Sequence, residues 1–203
     1  AWIGLVAVIE RLEATFATLE ILPKYKGHLY NWYDTQSLAI LQPLYVSSVD
    51  SGNLAGHLIA MANACDDWRK MPFIEKVMVG MQDNLNLLRE AVAAKEFACN
   101  KQSATLVNIV DKMDAIISKQ NDLSVAAPAL LEICENAIEN VIDDLSDVSE
   151  IDCSDIQYWF RAIKQLSTEH IQDLPLITRK LDTENELFKR LHTLAYTARE
   201  MAH

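Results

Sequence analysis

The chain has 203 residues, of which half are apolar and 23% are charged, and its formal net charge is −11. This composition is too apolar for a disordered chain, and the acidic balance argues against general binding to nucleic acid or to anionic lipid, since both require a cationic surface. No apolar run approaches the roughly 20 residues that span a bilayer, and no signal peptide is recognisable. Because the chain begins without methionine and stops inside a helix-like pattern, we interpret it as an excerpt of a longer protein.

The first predicted element is an amphipathic helix over about residues 3–21, whose apolar side chains recur with the 3.6-residue period and which Pro23 ends. Residues 24–50 break that period and are rich in aromatic and hydroxyl side chains. The turn-forming residues at 34–37 predict a small hairpin within this stretch. A second helix follows, with Ser48 or Asp50 as the expected cap.

Helical periodicity fills the remainder of the chain. Proline and capping boxes mark where further helices begin or run. These markers are, in chain order, Pro72, Pro128, Ser154 with Gln157, and Thr183 with Glu186, and a further helix over residues 106–116 is predicted from apolar spacing alone. The sixth helix is expected to stop near Pro175. We therefore predict an all-α fold, a helical bundle of about seven helices with one long aromatic-rich loop or small hairpin.

The four cysteines are widely spaced, and no pair has the close spacing of a zinc site. We therefore predict no metal site built on cysteine. Those in amphipathic patterns are expected to be small buried thiols in a reducing compartment, in preference to disulfides. The residues in such patterns are Cys65, Cys99 and Cys134, and the fourth cysteine is Cys153.

Residues 120–160 contain ten acidic side chains and no Lys or Arg. Four of the acids share one predicted helix face, namely Glu132, Glu135, Glu139 and Asp143. One interpretation is a cation site. We favour a solvated acidic face, since calcium usually takes a loop with close oxygen ligands and a glycine turn, and this stretch has no glycine.

Residues 27–54 carry the most specific chemistry. Trp32 and Tyr33 offer flat apolar faces with polar tips, and neighbouring Asn and Asp side chains offer donors and acceptors, a mixture that suits a sugar. Asp50, at a predicted helix start, suits a fixed acceptor for a hydroxyl group. Asp34 and Asp50 are a conceivable carboxyl pair for glycoside chemistry, which depends on their separation. The alternative is structural: Asp50 caps its helix and Trp32 covers the core.

The same stretch resembles a block of the cyclic β-1,2-glucan synthases, which are large bacterial inner-membrane proteins. The shared pattern is G-H-x-Y-N-W-Y-D-T from Gly27, a Leu-rich link with proline, and Y-V-S-S-V-D-S-G-N-L-A-G-H-L from Tyr45. The preceding segment from Glu10 to Thr15 is also similar to the family. The resemblance covers about residues 1–65, and so many specified positions make chance agreement improbable.

The resemblance implies a membrane-embedded glycosyltransferase that uses UDP-glucose to build β-1,2-glucan, and a central glycoamylase-like α/α-barrel implicated in transglycosylation and ring closure. Residues 1–70 would be the start of that central region, residues 71–185 a helical insertion, and residues 186–203 a return helix in a partial barrel. The fragment itself would need no cofactor. Its catalytic residues stay unidentified, and the expected substrate-binding residues are Asn31, Trp32, Tyr33, Asp34, Tyr45, Asp50 and Asn53.

The resemblance also implies a position on the cytoplasmic side of the bacterial inner membrane within a multi-pass protein. The expected partners are a β-1,2-glucan chain and the remaining domains of the parent, with no nucleic acid and no membrane insertion by this segment. The alternative is a helical scaffold or interaction module without its own sugar site. Exposed helix faces would then support a homodimer.

Overall fold

A computed structural model describes residues 2–70, 74–95, 100–120, 122–142, 153–178 and 186–203. These residues contain seven α-helices and one two-stranded sheet, which confirms the predicted all-α class. The chain divides into two compact units. We call the described parts of Ala1–Ala7 and Pro72–Lys180 the four-helix unit, and those of Val8–Met71 and Leu181–His203 the loop-bearing unit.

The four-helix unit contains helices α3 to α6, with α6 packed against α3 and α5, and α4 packed against α3 and α5. Their fully buried side chains include Met81, Leu85, Leu88, Leu106, Met113, Leu130 and Phe160. The helices are α3 (Ile74–Ala93), α4 (Asn100–Lys119), α5 (Leu123–Ala137), which continues as a π-helical turn (Ile138–Ile142), and α6 (Ser154–Thr178).

Two prolines lie inside helices, where we expected a helix boundary. Helix α5 begins at Leu123, and Asp122 caps it by accepting hydrogen bonds from the amide and hydroxyl of Ser124. Pro128 therefore follows the helix start by more than one turn, and the predicted start near Pro128 was wrong. Helix α6 continues past Pro175 to Thr178, so the predicted stop was also wrong. Each proline removes only one backbone donor, which a helix packed along its length tolerates.

Two carboxylates of α6 hold the start of α1 (Leu5–Ile21) in the four-helix unit. The backbone N–H of Gly4 donates to Glu169 Oε2 at 2.7 Å, and the N–H of Leu5 donates to the buried carboxylate of Asp173. These acceptors satisfy donors that have no partner within the helix, and their negative charge meets the positive end of the helix dipole.

The loop-bearing unit combines the rest of α1 with a hairpin, α2 (Ser48–Lys70) and α7 (Glu186–Ala202). Helix α2 packs on α7, and the shared core includes Leu58, Ala62, Leu191, Leu194 and Ala198. One ion pair joins α7 to α1 and another joins α7 to α2. The guanidinium of Arg190 forms two hydrogen bonds, of 2.8 and 2.7 Å, with the Glu13 carboxylate, and Arg199 donates to Asp66 Oδ2 at 2.6 Å.

The hairpin pairs β1 (Lys24–Tyr25) with β2 (His28–Leu29) in antiparallel register. Its two-residue turn places both Lys26 and Gly27 at positive φ, 49° and 87°. This is the turn geometry that follows the natural twist of the strands, and glycine adopts it without steric strain. The sequence analysis did not predict this first hairpin.

The described cysteines, Cys65, Cys134 and Cys153, are buried thiols, as predicted for Cys65 and Cys134. Burial raises the pKa of Cys65 to about 11 and that of Cys134 to about 12, so both stay protonated and unreactive at neutral pH. Cys99 and Thr183 lie outside the described residues, as do Pro72 and Asp143.

Candidate functional site

A second, smaller hairpin lies where the turn residues predicted one. Tyr33 and Ile40 form an antiparallel bridge, with backbone hydrogen bonds on either side of it. Asp34 Oδ1 accepts from the Gln36 amide and from both the amide and the hydroxyl of Ser37. These hydrogen bonds, chiefly that from the Ser37 backbone, lower the pKa of Asp34. Asp34 is thereby suited to holding the turn and poorly suited to donating a proton.

Tyr33 is also used within the loop. Its hydroxyl donates to the carbonyl of Pro23 at 2.7 Å and accepts from the backbone N–H of Tyr30 at 2.8 Å. The rings of Tyr30 and Tyr33 meet edge to face, with centroids 6.5 Å apart. The polar tip of Tyr33, which the sequence analysis assigned to substrate binding, therefore joins the end of α1 to the loop.

Asn31 connects the loop to the start of α2. Its Oδ1 accepts from the backbone N–H of Ser47 at 3.0 Å, and its Nδ2 donates to Asp50 Oδ2 at 3.0 Å. The backbone N–H of Asn31 also donates to the carbonyl of Tyr45. The cap of α2 is Ser47, whose hydroxyl accepts from the Asp50 N–H at 3.1 Å, so the expected caps Ser48 and Asp50 were wrong. The side chain of Asp50 faces Asn31 instead.

Trp32 and Tyr45 form an exposed aromatic pair. Their ring centroids are 6.1 Å apart and their planes are tilted by 31° relative to each other. Trp32 is 48% exposed and Tyr45 is 53% exposed. The structural alternative, in which Trp32 covers the core, does not describe a ring half open to solvent.

The structure thus brings together four of the seven predicted binding residues, Asn31, Trp32, Tyr45 and Asp50, which we call the aromatic platform. Asn53 lies three residues after Asp50 on α2, on the same helix face, and both are exposed. Tyr33 and Asp34 belong to the hairpin that supports the platform. The platform can stack a flat apolar ligand face on its rings and accept a hydroxyl hydrogen bond at the Asp50 carboxylate, which has four lone-pair positions.

The predicted acidic face is partly described. Glu132, Glu135 and Glu139 are exposed, and Glu135 Oε1 lies 3.2 Å from Lys164 Nζ, so a cation from α6 already neutralises one of them. Within residues 2–70, 74–95, 100–120, 122–142, 153–178 and 186–203, no three His, Cys, Asp or Glu side chains are placed to hold a metal ion.

Two features were not predicted from the sequence. One is that Ser47 caps α2. The other is a second aromatic group in the four-helix unit, formed by Trp2, Tyr158 and Trp159. Trp2 and Trp159 meet edge to face at 6.4 Å, and Tyr158 and Trp159 at 4.9 Å. The adjacent aromatic pair at 158–159 was a visible signal. Its connection to Trp2 was not, because the residues lie more than 150 positions apart.

No known family model matches the chain. Over 93 residues it is 50% identical to cyclic beta-(1,2)-glucan synthase NdvB of Rhizobium meliloti (strain 1021). That match covers 45% of this chain and 3% of the relative, so the chain spans a small fraction of the relative's length. Among the described helices, none combines the length and the apolar composition that a bilayer crossing requires. Close to half of this chain is therefore related to a cyclic β-1,2-glucan synthase.

Proposed function

We propose that the chain is part of a cyclic β-1,2-glucan synthase and that the aromatic platform contributes to the glucan-binding cleft of the region implicated in ring closure. The observation that carries the proposal is the exposed Trp32–Tyr45 pair, in a chain that is 50% identical over 93 residues to such a synthase. The platform residues belong to the stretch whose chemistry suits a sugar.

The geometry of the platform supports this proposal. A pyranose presents a face of C–H groups, which stacks on an aromatic ring, and a rim of hydroxyls, which bond to carboxylates and amides. Trp32 and Tyr45 supply two neighbouring exposed rings, with centroids 6.1 Å apart. Asn31 fixes the loop to the start of α2, and the Tyr33 hydroxyl fixes it to Pro23 after α1, so little conformational entropy is lost when a ligand binds.

The proposal extends to the parent protein. Its transferase region would use UDP-glucose, and this chain would lie on the cytoplasmic side of the inner membrane, contacting the growing glucan and the other domains. The four-helix unit would be a helical insertion in the partial α/α-barrel. Catalysis would require carboxylates from elsewhere in the parent, because Asp34 is engaged in its turn.

A titration with linear β-1,2-linked gluco-oligosaccharides, followed by NMR, tests the proposal. We expect saturable shifts centred on residues 30–53 that are lost in Trp32→Ala. Tyr25→Ala is the matched control, because Tyr25 is an exposed aromatic of the same unit, 52% exposed, in the first hairpin. Shifts that survive Trp32→Ala, or none in a folded sample, would contradict the assignment of the platform.

A helical scaffold that self-associates is the second candidate. It is supported by apolar side chains exposed on three helices of the four-helix unit, Val79, Val107 and Val125. Sedimentation velocity over a hundredfold range of concentration tests it. A concentration-dependent dimer that Val79→Ser weakens would favour this function, and a monomer at all concentrations would exclude it.

A further inference from the structure

The second aromatic group lies in the four-helix unit and joins three segments of chain. Trp2 comes from the segment before α1, Asp83 from α3, and Tyr158 with Trp159 from α6. The indole N–H of Trp2 donates to Asp83 Oδ2 at 3.2 Å, and the ring of Trp2 contacts Trp159. The four side chains are therefore one continuous surface, which we call the second aromatic surface.

This surface is open and at the same time held in place. Trp2 is 55% exposed and Tyr158 is 63% exposed. The segment that carries Trp2 is fixed two residues later, where Gly4 and Leu5 bond to the carboxylates of Glu169 and Asp173. Edge-to-face packing against Trp159 further restricts both outer rings, while more than half of each outer residue stays exposed.

The size of the surface favours a small ligand over a protein. A large aromatic side chain has roughly 150–250 Å² of surface, so Trp2 and Tyr158 together expose on the order of 250 Å². A stable protein interface buries about 800 Å² on each partner. An area of this size corresponds instead to one or two sugar rings.

The chemistry narrows the class of ligand. Asp83 places a carboxylate beside the rings, and the chain as a whole carries a net charge of −11, which disfavours an anionic ligand. A neutral polyhydroxylated ligand with apolar faces fits both features. The aromatic platform combines the same elements, two exposed rings and a neighbouring Asp carboxylate, in the loop-bearing unit.

We propose that the second aromatic surface is a further carbohydrate-binding site, which takes a neutral β-linked glucan chain with Trp2 and Tyr158 as stacking residues and Asp83 as a hydroxyl acceptor. The identity of the glucan rests on the proposed function. The second aromatic surface would hold a part of the glucan that the aromatic platform does not contact. Each of the two sites would bind glucan in the absence of the other.

Indole N–H signals of the ¹⁵N-labelled full chain test this proposal, because Trp2 and Trp159 report on this surface and Trp32 reports on the platform. Single substitutions assign the signals. During titration with linear β-1,2-linked gluco-oligosaccharides, we expect the Trp2 and Trp159 signals to shift saturably, both in the native chain and in Trp32→Ala. Tyr158→Ala should weaken this binding roughly three- to tenfold, the usual worth of an aromatic contact.

Tyr196→Ala is the matched control, since Tyr196 is a helical tyrosine of similar exposure, 60%, in α7. Circular dichroism verifies that each variant is folded. If the Trp32 signal alone shifts, the second site is overturned and the proposed function stands. If Trp2 and Trp159 alone shift, the second site stands and the platform fails. Equal weakening by Tyr158→Ala and Tyr196→Ala would also overturn the second site.

Discussion

At the scale of single residues, the geometry of the platform depends on Asn31. Its amide makes two hydrogen bonds, one to the Ser47 amide and one to the Asp50 carboxylate. We predict that Asn31→Ala lowers the free energy of unfolding by about 1–3 kcal/mol, since a hydrogen bond contributes about 0.5–1.5 kcal/mol and one to a charged group contributes more. Urea unfolding monitored by tryptophan fluorescence measures this change.

Asn53→Ala is the control for that prediction, because Asn53 is an exposed asparagine in the next turn of α2. Its removal should change the free energy of unfolding by less than about 0.5 kcal/mol, the usual range at the surface. A loss as large as that of Asn31→Ala would show that any asparagine near the start of α2 matters equally, and the bridging role of Asn31 would be wrong.

The sequence indicated which segment would carry the candidate binding residues. It did not indicate which contacts each of those residues makes. The turn chemistry of 34–37 and the aromatic content of the loop correctly indicated a hairpin. The amide of Asn31 meets Ser47 and Asp50 only after the chain folds back across sixteen or more residues, and no local pattern encodes that contact. For the same reason, Tyr33 could be predicted as aromatic and polar, but not as bonded to Pro23.

At the scale of elements, replacing Gly4 and Gly56 by alanine should change the free energy of unfolding in opposite directions. A Cβ on Gly4 would lie 2.8 Å from both Asp173 Oδ2 and Glu169 Cβ, so Gly4→Ala should displace the carboxylates that cap α1 and cost about 1–3 kcal/mol. A Cβ on Gly56, inside α2, meets nothing within 4 Å, and Gly56→Ala should stabilise by about 0.5–1 kcal/mol.

Thermal unfolding followed by circular dichroism compares the two variants under identical conditions. The expected result is a lower melting temperature for Gly4→Ala and a higher one for Gly56→Ala than for the native chain. Both changes add the same methyl group, so the helix propensity of alanine cannot explain opposite signs. A rise in both melting temperatures would mean that α1 does not depend on close approach of α6 to Gly4.

The ion pair between α1 and α7 should make stability depend on pH. The hydrogen bond from Arg190 lowers the pKa of Glu13 from its ordinary value of 4.5. Because the folded pKa lies below the unfolded one, the stabilisation is complete above about pH 5.5 and is lost as pH falls through the folded pKa. The carboxylate is partly exposed, so the pair contributes no more than about 1 kcal/mol.

Urea unfolding at pH 6 and pH 3 measures this effect. Glu13→Gln should lose stability at pH 6, and this loss should be smaller at pH 3, because protonation of the native carboxyl weakens its ion pair with Arg190. Glu186→Gln is the control, since Glu186 is 80% exposed and lies 3.9 Å from Lys189. An equal pH dependence in native chain and Glu13→Gln would contradict a stabilising role for the Glu13–Arg190 pair.

Helix existence was easier to predict than helix ends. Within the described parts of the chain, apolar periodicity gave the number and order of the helices, because each one buries apolar side chains against its neighbours. Pro128 and Pro175 suggested boundaries because proline lacks one hydrogen-bond donor. Asp122 caps α5 and starts it before Pro128. Packing on α3 and α5 allows α6 to continue past Pro175. A rule based only on the position of proline takes account of neither effect.

At the scale of the whole molecule, chain order does not reveal which segments share a unit. Residues 2–7 precede the loop-bearing unit in sequence and belong to the four-helix unit, where Glu169 and Asp173 accept the N–H groups of Gly4 and Leu5. The sequence contained the capping acids and the glycine separately. Only their long-range pairing assigns the first segment, and with it Trp2, to the unit that carries the second aromatic surface.

The net charge of −11 predicts how the whole chain behaves toward polyanions. Binding to nucleic acid or to anionic lipid gains its free energy from cationic side chains that replace counterions, and this chain has 29 acidic against 18 basic residues. We expect less than a tenth of the protein to sediment with vesicles containing 30% phosphatidylglycerol at 50 mM salt, and no retardation of duplex DNA under the same conditions. Vesicles of neutral lipid alone are the control, because any apolar insertion would occur equally there. Binding to the anionic vesicles that 500 mM salt abolishes would contradict the prediction and indicate a local cationic surface.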